Sequence, residues 1–425
     1  MAKALTAHDV FTPSSFPEHT YVTRGEDDLE DKLRFALKTK GQIVSLSGPS
    51  KSGKTVLVEK VVGKDNLVPV VGAGIRDADQ LWTRVLDWLD APVEVNQQKS
   101  YQLATGATAV ARAQGNIIVA EGQVGGDLST RFTRRNVAGE RKNRRGLEQV
   151  IEDLASTEYV VLVDDFHYMP REVQAEVAKQ LKEAARREVK VVTASVPHRA
   201  DDVVRANPEL RGRVSLIDVA YWRPRDLVQI ATSGFAALNV DIDGASAERL
   251  AQQAAGSPQL MQALCLYACF VLGTIDRMPK RVSESIKPED HVKLCRLTST
   301  VTDFRSLVDA LEAGPRARSG ERRTYRFVDG TEGDVYRAIL KAIADDPLAL
   351  AFDYEEILRR VKALCDGEAP IGSAVTGACS HMARLAEEQL PTARPIMWDE
   401  SEQVLEIPDP YLSFYLRWSD RLRGT

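Results

Sequence analysis

The stretch "GPSKSGKT", Gly48 to Thr55, constrains this chain more than any other part of it. It fits G-x-x-x-x-G-K-[ST]. The apolar run "QIVSLSG" leads into it, and "TVLVEKVVG" leads out with helical character. A strand, a glycine-bearing turn and a helix in that order present successive backbone N–H groups to one point, and the helix adds the positive end of its dipole. Phosphate oxygens suit such a place. Gly48, Ser50, Lys51, Ser52 and Gly53 are the expected cradle, with Lys54 reaching the outer phosphates and the Thr55 hydroxyl offered to Mg²⁺. ATP is the expected ligand. Lys51 stands where many such loops carry glycine. If that position needs a positive φ, lysine costs about 1 kcal/mol there. Its cation could also face the phosphates.

A second stretch, "YVVLVDDFHYMP", runs an apolar strand into two adjacent carboxylates, Asp164 and Asp165. Burying two acids at a strand end is costly unless a cation sits there. After a phosphate loop, this is the Walker B arrangement. Asp164 is expected to hold Mg²⁺ through its waters, and Asp165 to lie nearer the γ-phosphate and polarise the attacking water. His167 reads as a packing or helix-entry residue rather than a catalytic group.

The chain has 425 residues, more than one compact core accommodates, so about two to three domains are expected. A net charge of -5 gives no whole-chain field for nucleic acid or anionic membrane. The five cysteines form no C-x-x-C pair and have no histidines at metal spacing, which suggests reduced thiols and a cytoplasmic location. Cys265 and Cys269 are expected to line a helix core. The first residues hold no apolar signal segment. The longest apolar run, Leu260 to Leu272, is interrupted by Gln262 and too short to span a bilayer, so no membrane role is expected.

Strand and helix patterns alternate from "QIVSLSG" to "RGRVSLIDVAYW", which predicts an α/β fold with a parallel sheet wrapped by helices. Residues 1–19 read as an N-terminal arm and 20–225 as the nucleotide-binding core. A β-hairpin insertion is expected near 97–145, ending in Arg131, Arg134, Arg135, Arg141, Lys142, Arg144 and Arg145. Residues 226–285 read as helices only, and 286–330, rich in charge and breakers, as a linker. Residues 331–425 begin with three helical segments. They end in "PIMWDESEQVLEIPDPYLSFYLRW", read as two strands around a polar turn. That order is the order of a winged helix.

With these motifs the chain resembles the AAA+/STAND branch of P-loop ATPases, in particular prokaryotic ATPases with a winged helix after the lid, including the origin-initiator type. The resemblance covers roughly 20–285, and also 331–425. It implies an AAA+ P-loop NTPase core, a helical lid over 226–285 and a winged-helix domain. It further implies ATP hydrolysis with ATP and Mg²⁺ bound. "YVTRGEDDLEDKL" resembles the segment that packs near the adenine. "VVTAS" resembles the sensor strand, where Thr193 or Ser195 would touch the γ-phosphate or the water. "PELRGRVSLIDV" resembles the segment that supplies an arginine finger, with Arg213 the first candidate, Arg211 the second and Arg199 a rival. "AGSPQL" resembles the G-x-P motif of the lid and brings Pro258 to the nucleotide.

The functional expectation is an ATP-hydrolysing switch or assembly ATPase. It would couple nucleotide state to homo-oligomerisation and to engagement of a protein effector, in a setting such as bacterial defence or signalling. The alternative is a DNA-dependent AAA+ ATPase of the replication-initiator or transposition-regulator kind, with nucleic acid bound through Arg131–Arg145. Residues 331–425 carry 17 acidic against 10 basic residues, and the segment that would be the recognition helix holds one Arg and two Glu. Such a helix is poorly equipped to read base edges. A protein-contact or autoinhibitory role is therefore expected for this module.

Overall fold

A computed structural model describes residues 4–25, 27–89, 146–196, 210–315, 322–391 and 394–422. The insertion expected near 97–145, its basic cluster and Arg199 lie outside the described residues.

Five strands, β1 (Ile43–Ser47), β2 (Leu67–Val71), β3 (Val160–Asp164), β4 (Lys190–Ser195) and β5 (Val214–Asp218), form one parallel sheet in the order β2-β3-β4-β1-β5. Both faces are covered, so the central strands are apolar almost throughout. Every residue of β1 is buried, as are the first four of β3. Side chains alternate between the faces. On one face, Val160 and Leu162 meet Leu33 of α2 (Leu29–Lys38) and Leu57 and Val58 of α3 (Lys54–Val62). On the other, Val161 and Val163 meet Trp82 of α4 (Ala78–Trp88), Val150 of α5 (Leu147–Leu154) and Val177 and Leu181 of α6 (Arg171–Arg186). Each such side chain is worth about 1.5–3 kcal/mol of burial.

The order of the sheet positions the chemistry. β4 lies between β1 and β3, so Thr193 pairs with Ser45 on one side and Val163 on the other. The carboxyl ends of β1, β3 and β4 therefore open to one place, where ligands of parallel sheets bind.

After the sheet come α7 (Pro224–Ala237), α8 (Gly244–Gln253) and α9 (Pro258–Leu272). This region is not purely helical: β6 (Val240–Ile242) pairs in parallel with β7 (Val282–Glu284). Cys265 and Cys269 are buried on α9. The arm is folded onto these helices through α1 (Ala7–Val10) and Phe11, whose ring meets Phe235 edge-on at 5.3 Å.

Residues 286–330, expected as a linker, carry α10 (Pro288–Ser299) and α11 (Arg305–Ala313). Leu294, Cys295, Leu307, Val308 and Leu311 are buried in a core shared with the arm, the three helices and the C-terminal module. The breakers "MPKR" and "AGPRARSGERR" bracket these helices rather than replace them. A short antiparallel pair follows, β8 (Tyr325–Arg326) with β9 (Glu332–Gly333).

The C-terminal module runs α12 (Val335–Ala344), β10 (Ala351–Asp353), α13 (Tyr354–Leu364), α14 (Gly372–Gln389), β11 (Met397–Asp399) and β12 (Val404–Glu406). Its three strands form an antiparallel sheet in the order β10-β12-β11. The second strand expected of the terminal hairpin ends at Glu406. "PYLSFYLRW" is instead a helix, α15 (Pro410–Trp418), with proline in its first turn and Asp409 capping the Tyr411 N–H.

Candidate functional site

The phosphate loop leaves β1 at Ser47 and is seated by its backbone. The Gly48 N–H donates to the Ser195 carbonyl at 3.1 Å. A Cβ on Gly48 would fall 2.3 Å from the Val219 carbonyl oxygen, so only glycine passes there. Gly53, at a φ of 93°, turns the chain into α3. Lys54 is buried, and its Nζ donates to the carbonyls of Gly48 and Pro49, each at 2.8 Å. Burial pulls its proton affinity down, and the charges of Asp164 and Asp165 oppose that pull.

The Thr55 hydroxyl donates to Asp164 Oδ2 at 2.5 Å, which joins the first turn of α3 to the end of β3. Asp165 follows in the left-handed region at a φ of 54°, and its N–H donates to Asp164 Oδ1 at 3.0 Å. Gly72 permits this turn. Its N–H donates to the Asp164 carbonyl at 2.7 Å, and a Cβ there would lie 2.6 Å from the Asp165 carbonyl oxygen. Burial first, and then the charge of Asp164, push the Asp165 carboxyl up from 3.8 to about 6, against the pull of Lys54.

Two hydroxyls at this place are buried without a hydrogen-bond partner among the described residues: Ser52 Oγ and Thr193 Oγ1. An orphaned buried polar group costs about 1–3 kcal/mol. Phosphate oxygens or an ordered water would satisfy both, so the residues present fit a bound nucleotide. They also fit Mg²⁺. Among the described residues no three His, Cys, Asp or Glu side chains converge into a metal cage. Thr55 and Asp164 supply two protein oxygens, and Mg²⁺ keeps waters and takes phosphate oxygens for the rest.

Residues of α9, of the segment before α7 and of the first 24 residues border the site. Pro258 opens α9, with its Cγ 4.0 Å from where a Cβ on Gly53 would be. Trp222 Nε1 donates to the Ser52 carbonyl at 2.9 Å, and the Arg24 guanidinium lies over the Trp222 ring at 5.2 Å. The result is an open cleft with about 430 Å³ of room, lined by Thr12, Phe16 and Tyr21 from the arm side and by Lys54, Thr55 and Asp165 from the core. Gln262 ties arm to lid: its amide donates to Thr20 Oγ1 at 2.6 Å and accepts the Thr12 N–H at 3.3 Å. The segment "YVTRGEDDLEDKL", which holds Tyr21 and Arg24, was expected near the adenine, but neither residue was singled out, and Trp222, Thr12 and Phe16 were not assigned to the site. The available signal was Gln262, a polar residue interrupting the most apolar helix of the chain.

Lys51 adopts a φ of 61°, the positive value under which lysine is strained by about 1 kcal/mol. Its cation does not turn to the loop. Nζ donates to Asp409 Oδ1 at 2.6 Å and lies 4.6 Å above the Tyr411 ring, both on the C-terminal module.

Arg213 and Arg211 are exposed, and the Ile43 N–H donates to the Arg213 carbonyl at 2.9 Å. Ile43 begins β1, while the phosphate loop leaves the other end, so neither arginine reaches the site of its own chain. His167 is buried, its ring 4.1 Å from that of Tyr168.

No family model and no curated protein matches the chain in sequence. Among solved structures, the chain is similar to Cdc6p of Pyrobaculum aerophilum at 14% identity and a TM-score of 0.44, covering 99% of each chain. A Walker-type ATPase of Pyrococcus abyssi matches at 14% identity and a TM-score of 0.48, over 98% of this chain and 99% of that one. RuvB of Thermotoga maritima matches at 12% identity and a TM-score of 0.41, over 91% and 92%. The chain's own features decide the fold: the order β2-β3-β4-β1-β5, with the phosphate loop after β1 and the paired acids after β3. That order is a P-loop NTPase fold of the AAA+ type. Among the described residues, no helix is long and apolar enough to cross a membrane.

Proposed function

We propose that the chain binds Mg·ATP between its phosphate loop and lid, hydrolyses it, and uses the nucleotide state to control association of copies and engagement of a protein partner. The observation that carries this reading is the Thr55–Asp164 hydrogen bond of 2.5 Å, with Asp165 next to it. Thr55 and Asp164 would hold the magnesium ion, which when bound offsets negative charge on the phosphate oxygens. Lys54 would exchange its two loop carbonyls for outer phosphate oxygens. Asp165 would take a proton from the attacking water, and a carboxyl raised to about 6 is a better base for that task than an ordinary aspartate. Thr193 would orient the water or the γ-phosphate. Arg213, remote from its own site, would serve the site of a neighbouring copy.

The switch part of the reading is supported by what touches the loop. α9 is tied to it through Ser257 at its cap, the segment before α7 through Trp222, and the C-terminal module through Asp409. We read that module as a winged helix in a protein-contact role. Its α14 offers Arg384 against Glu387 and Glu388, poor chemistry for a groove reader. The deciding experiment measures ATP turnover per protomer against protein concentration with Mg²⁺, with Asp165→Asn as control. Turnover that rises with concentration and vanishes in the control is expected. A chain that neither binds nor turns over ATP at any concentration overturns the reading.

A further inference from the structure

We infer that Asp409, on the C-terminal module, is a positioning residue of the nucleotide site. It holds Lys51, and through Lys51 it holds the backbone of the phosphate loop. This rests on the reading of that loop as an ATP site.

The chain keeps residue 51 in the left-handed region at a φ of 61°, where glycine is at ease and lysine is not. Such a conformation persists only where the surroundings over-determine it. Three groups converge on Lys51. Asp409 Oδ1 accepts from Nζ at 2.6 Å, the Tyr411 ring lies 4.6 Å from the same nitrogen, and Ser257 Oγ donates to the Lys51 carbonyl at 3.4 Å. Two of the three come from the cap and first turn of α15. Asp409 is itself fixed, because Oδ1 also caps the helix by accepting the Tyr411 N–H at 3.0 Å. Behind it α15 is buried along nearly all its length. The ion pair is half-buried, with side-chain exposures of 27% and 19%.

A phosphate cradle works because its N–H groups are aimed before the anion arrives. A lysine free to leave the left-handed region would scatter that aim. The seat of α15 and the affinity of the loop are therefore one linked equilibrium. By reciprocity, nucleotide that favours the aimed loop also favours the seated module.

The test uses the full chain and four proteins: wild type, Asp409→Asn, Lys51→Gly and the double variant. Asparagine keeps the helix cap and removes the charge. Glycine holds a positive φ unaided. Each protein is titrated with a fluorescent ADP, and amide exchange is followed in the peptide covering 50–53. Asp409→Asn is expected to weaken ADP by about 3- to 10-fold in the wild-type background and to have no effect in the Lys51→Gly background. Exchange at 50–53 should accelerate in Asp409→Asn and return in the double variant to the Lys51→Gly level. An Asp409→Asn chain that binds ADP as tightly as wild type, or more tightly, overturns the inference. Equal losses in both backgrounds also overturn it, because they reduce Asp409 to a support of its own module. If wild type binds no ADP, the ATP reading fails separately, and exchange alone decides whether Asp409 sets the loop.

Discussion

Gly234→Ala tests how the arm is seated against the lid, and through it whether the arm is a wall of the site. A methyl at 234 would lie 2.2 Å from Phe11 Cε1, 2.4 Å from Phe11 Cζ and 2.9 Å from Thr20 Cγ2. Phe11 is 1% exposed and held edge-on by Phe235, so its ring has nowhere to move. Two effects oppose each other. Alanine beats glycine inside a helix by about 1 kcal/mol. Overpacking costs about 1–3 kcal/mol, and the clash here involves a rigid ring. The net expectation is destabilisation by about 1–2 kcal/mol, felt where arm meets α7. Phe11→Ala alone costs about 3–5 kcal/mol through its cavity. In that background only the Thr20 methyl stays close, at 2.9 Å, with the vacated hole to move into, so Gly234→Ala turns neutral or stabilising by up to about 1 kcal/mol. The cycle should show a coupling of about 2 kcal/mol. The chain has several modules, so a global melting point is a poor readout. Amide exchange in the arm and α7, with thermolysin cleavage of the arm, reads the local equilibrium. Thr12 and Phe16 line the cleft, so ADP affinity should fall with arm stability. A Gly234→Ala effect of the same size and sign in both backgrounds refutes the argument.

Lys54→Ala should abolish detectable ATP binding by equilibrium titration, since it removes a buried cation facing the paired acids; retained micromolar affinity would refute the assignment. Asp165→Asn should keep nucleotide binding, because asparagine tolerates the left-handed region, and should slow turnover by about 100-fold or more. The same variant has a pH signature. The folded chain binds the Asp165 proton more tightly than the unfolded chain does, about 6 against 3.8. The stability from that proton is complete below pH 3.8 and is lost as pH rises through about 6. Without nucleotide, Asp165→Asn should therefore gain on wild type at pH 8 by about 1–2 kcal/mol and not at pH 4, a gain smaller than the full shift implies because the carboxyl is partly open to solvent. An advantage at pH 4 instead would reverse the sign and reject the cause. Arg213→Ala should leave ADP affinity unchanged and lose turnover. Mixing it with Asp165→Asn should restore part of that turnover, since intact halves then meet between neighbours; no recovery on mixing would remove Arg213 from catalysis.

The sequence reading of the elements held where the signals are local. Strand, loop and helix around Gly48–Thr55 lie in one continuous stretch, and the acids of "VLVDD" end the strand that carries them. Period and turn signals suffice for such features. It also held for the sheet, because apolar runs alternating with amphipathic helices admit few arrangements. It missed features whose meaning lies in distant partners. "PYLSFYLRW" is apolar enough for either a strand or a buried helix, and only the proline and the capping aspartate tip it toward helix. The span 286–330 was judged on its flanks, whose glycines, prolines and charges hide two helices between them. The arm, at the start of the chain, gave no periodic signal in its short helix, so nothing local announced that Phe11 fills a hole left by Gly234.

Lys51 shows why the unread part matters to function. Its departure from glycine was visible in the motif, and the strain it implies is present as a φ of 61°. Its partner stands 358 residues away in sequence, in a helix that was read as a strand. From the motif alone, a second lysine in a phosphate loop argues for more charge on the phosphates. Placed in the fold, the same ammonium faces a carboxylate and an aromatic ring instead. The lysine adds a tether to a module that carries none of the loop's own chemistry. The Ser52 carbonyl is likewise taken from a distance, by Trp222 just before α7. Neighbouring residues of one loop are thus held from distant parts of the chain, Lys51 from the C-terminal module and Ser52 from Trp222. If nucleotide binds there as proposed, the phosphate cradle is where a shift of the C-terminal module would be felt.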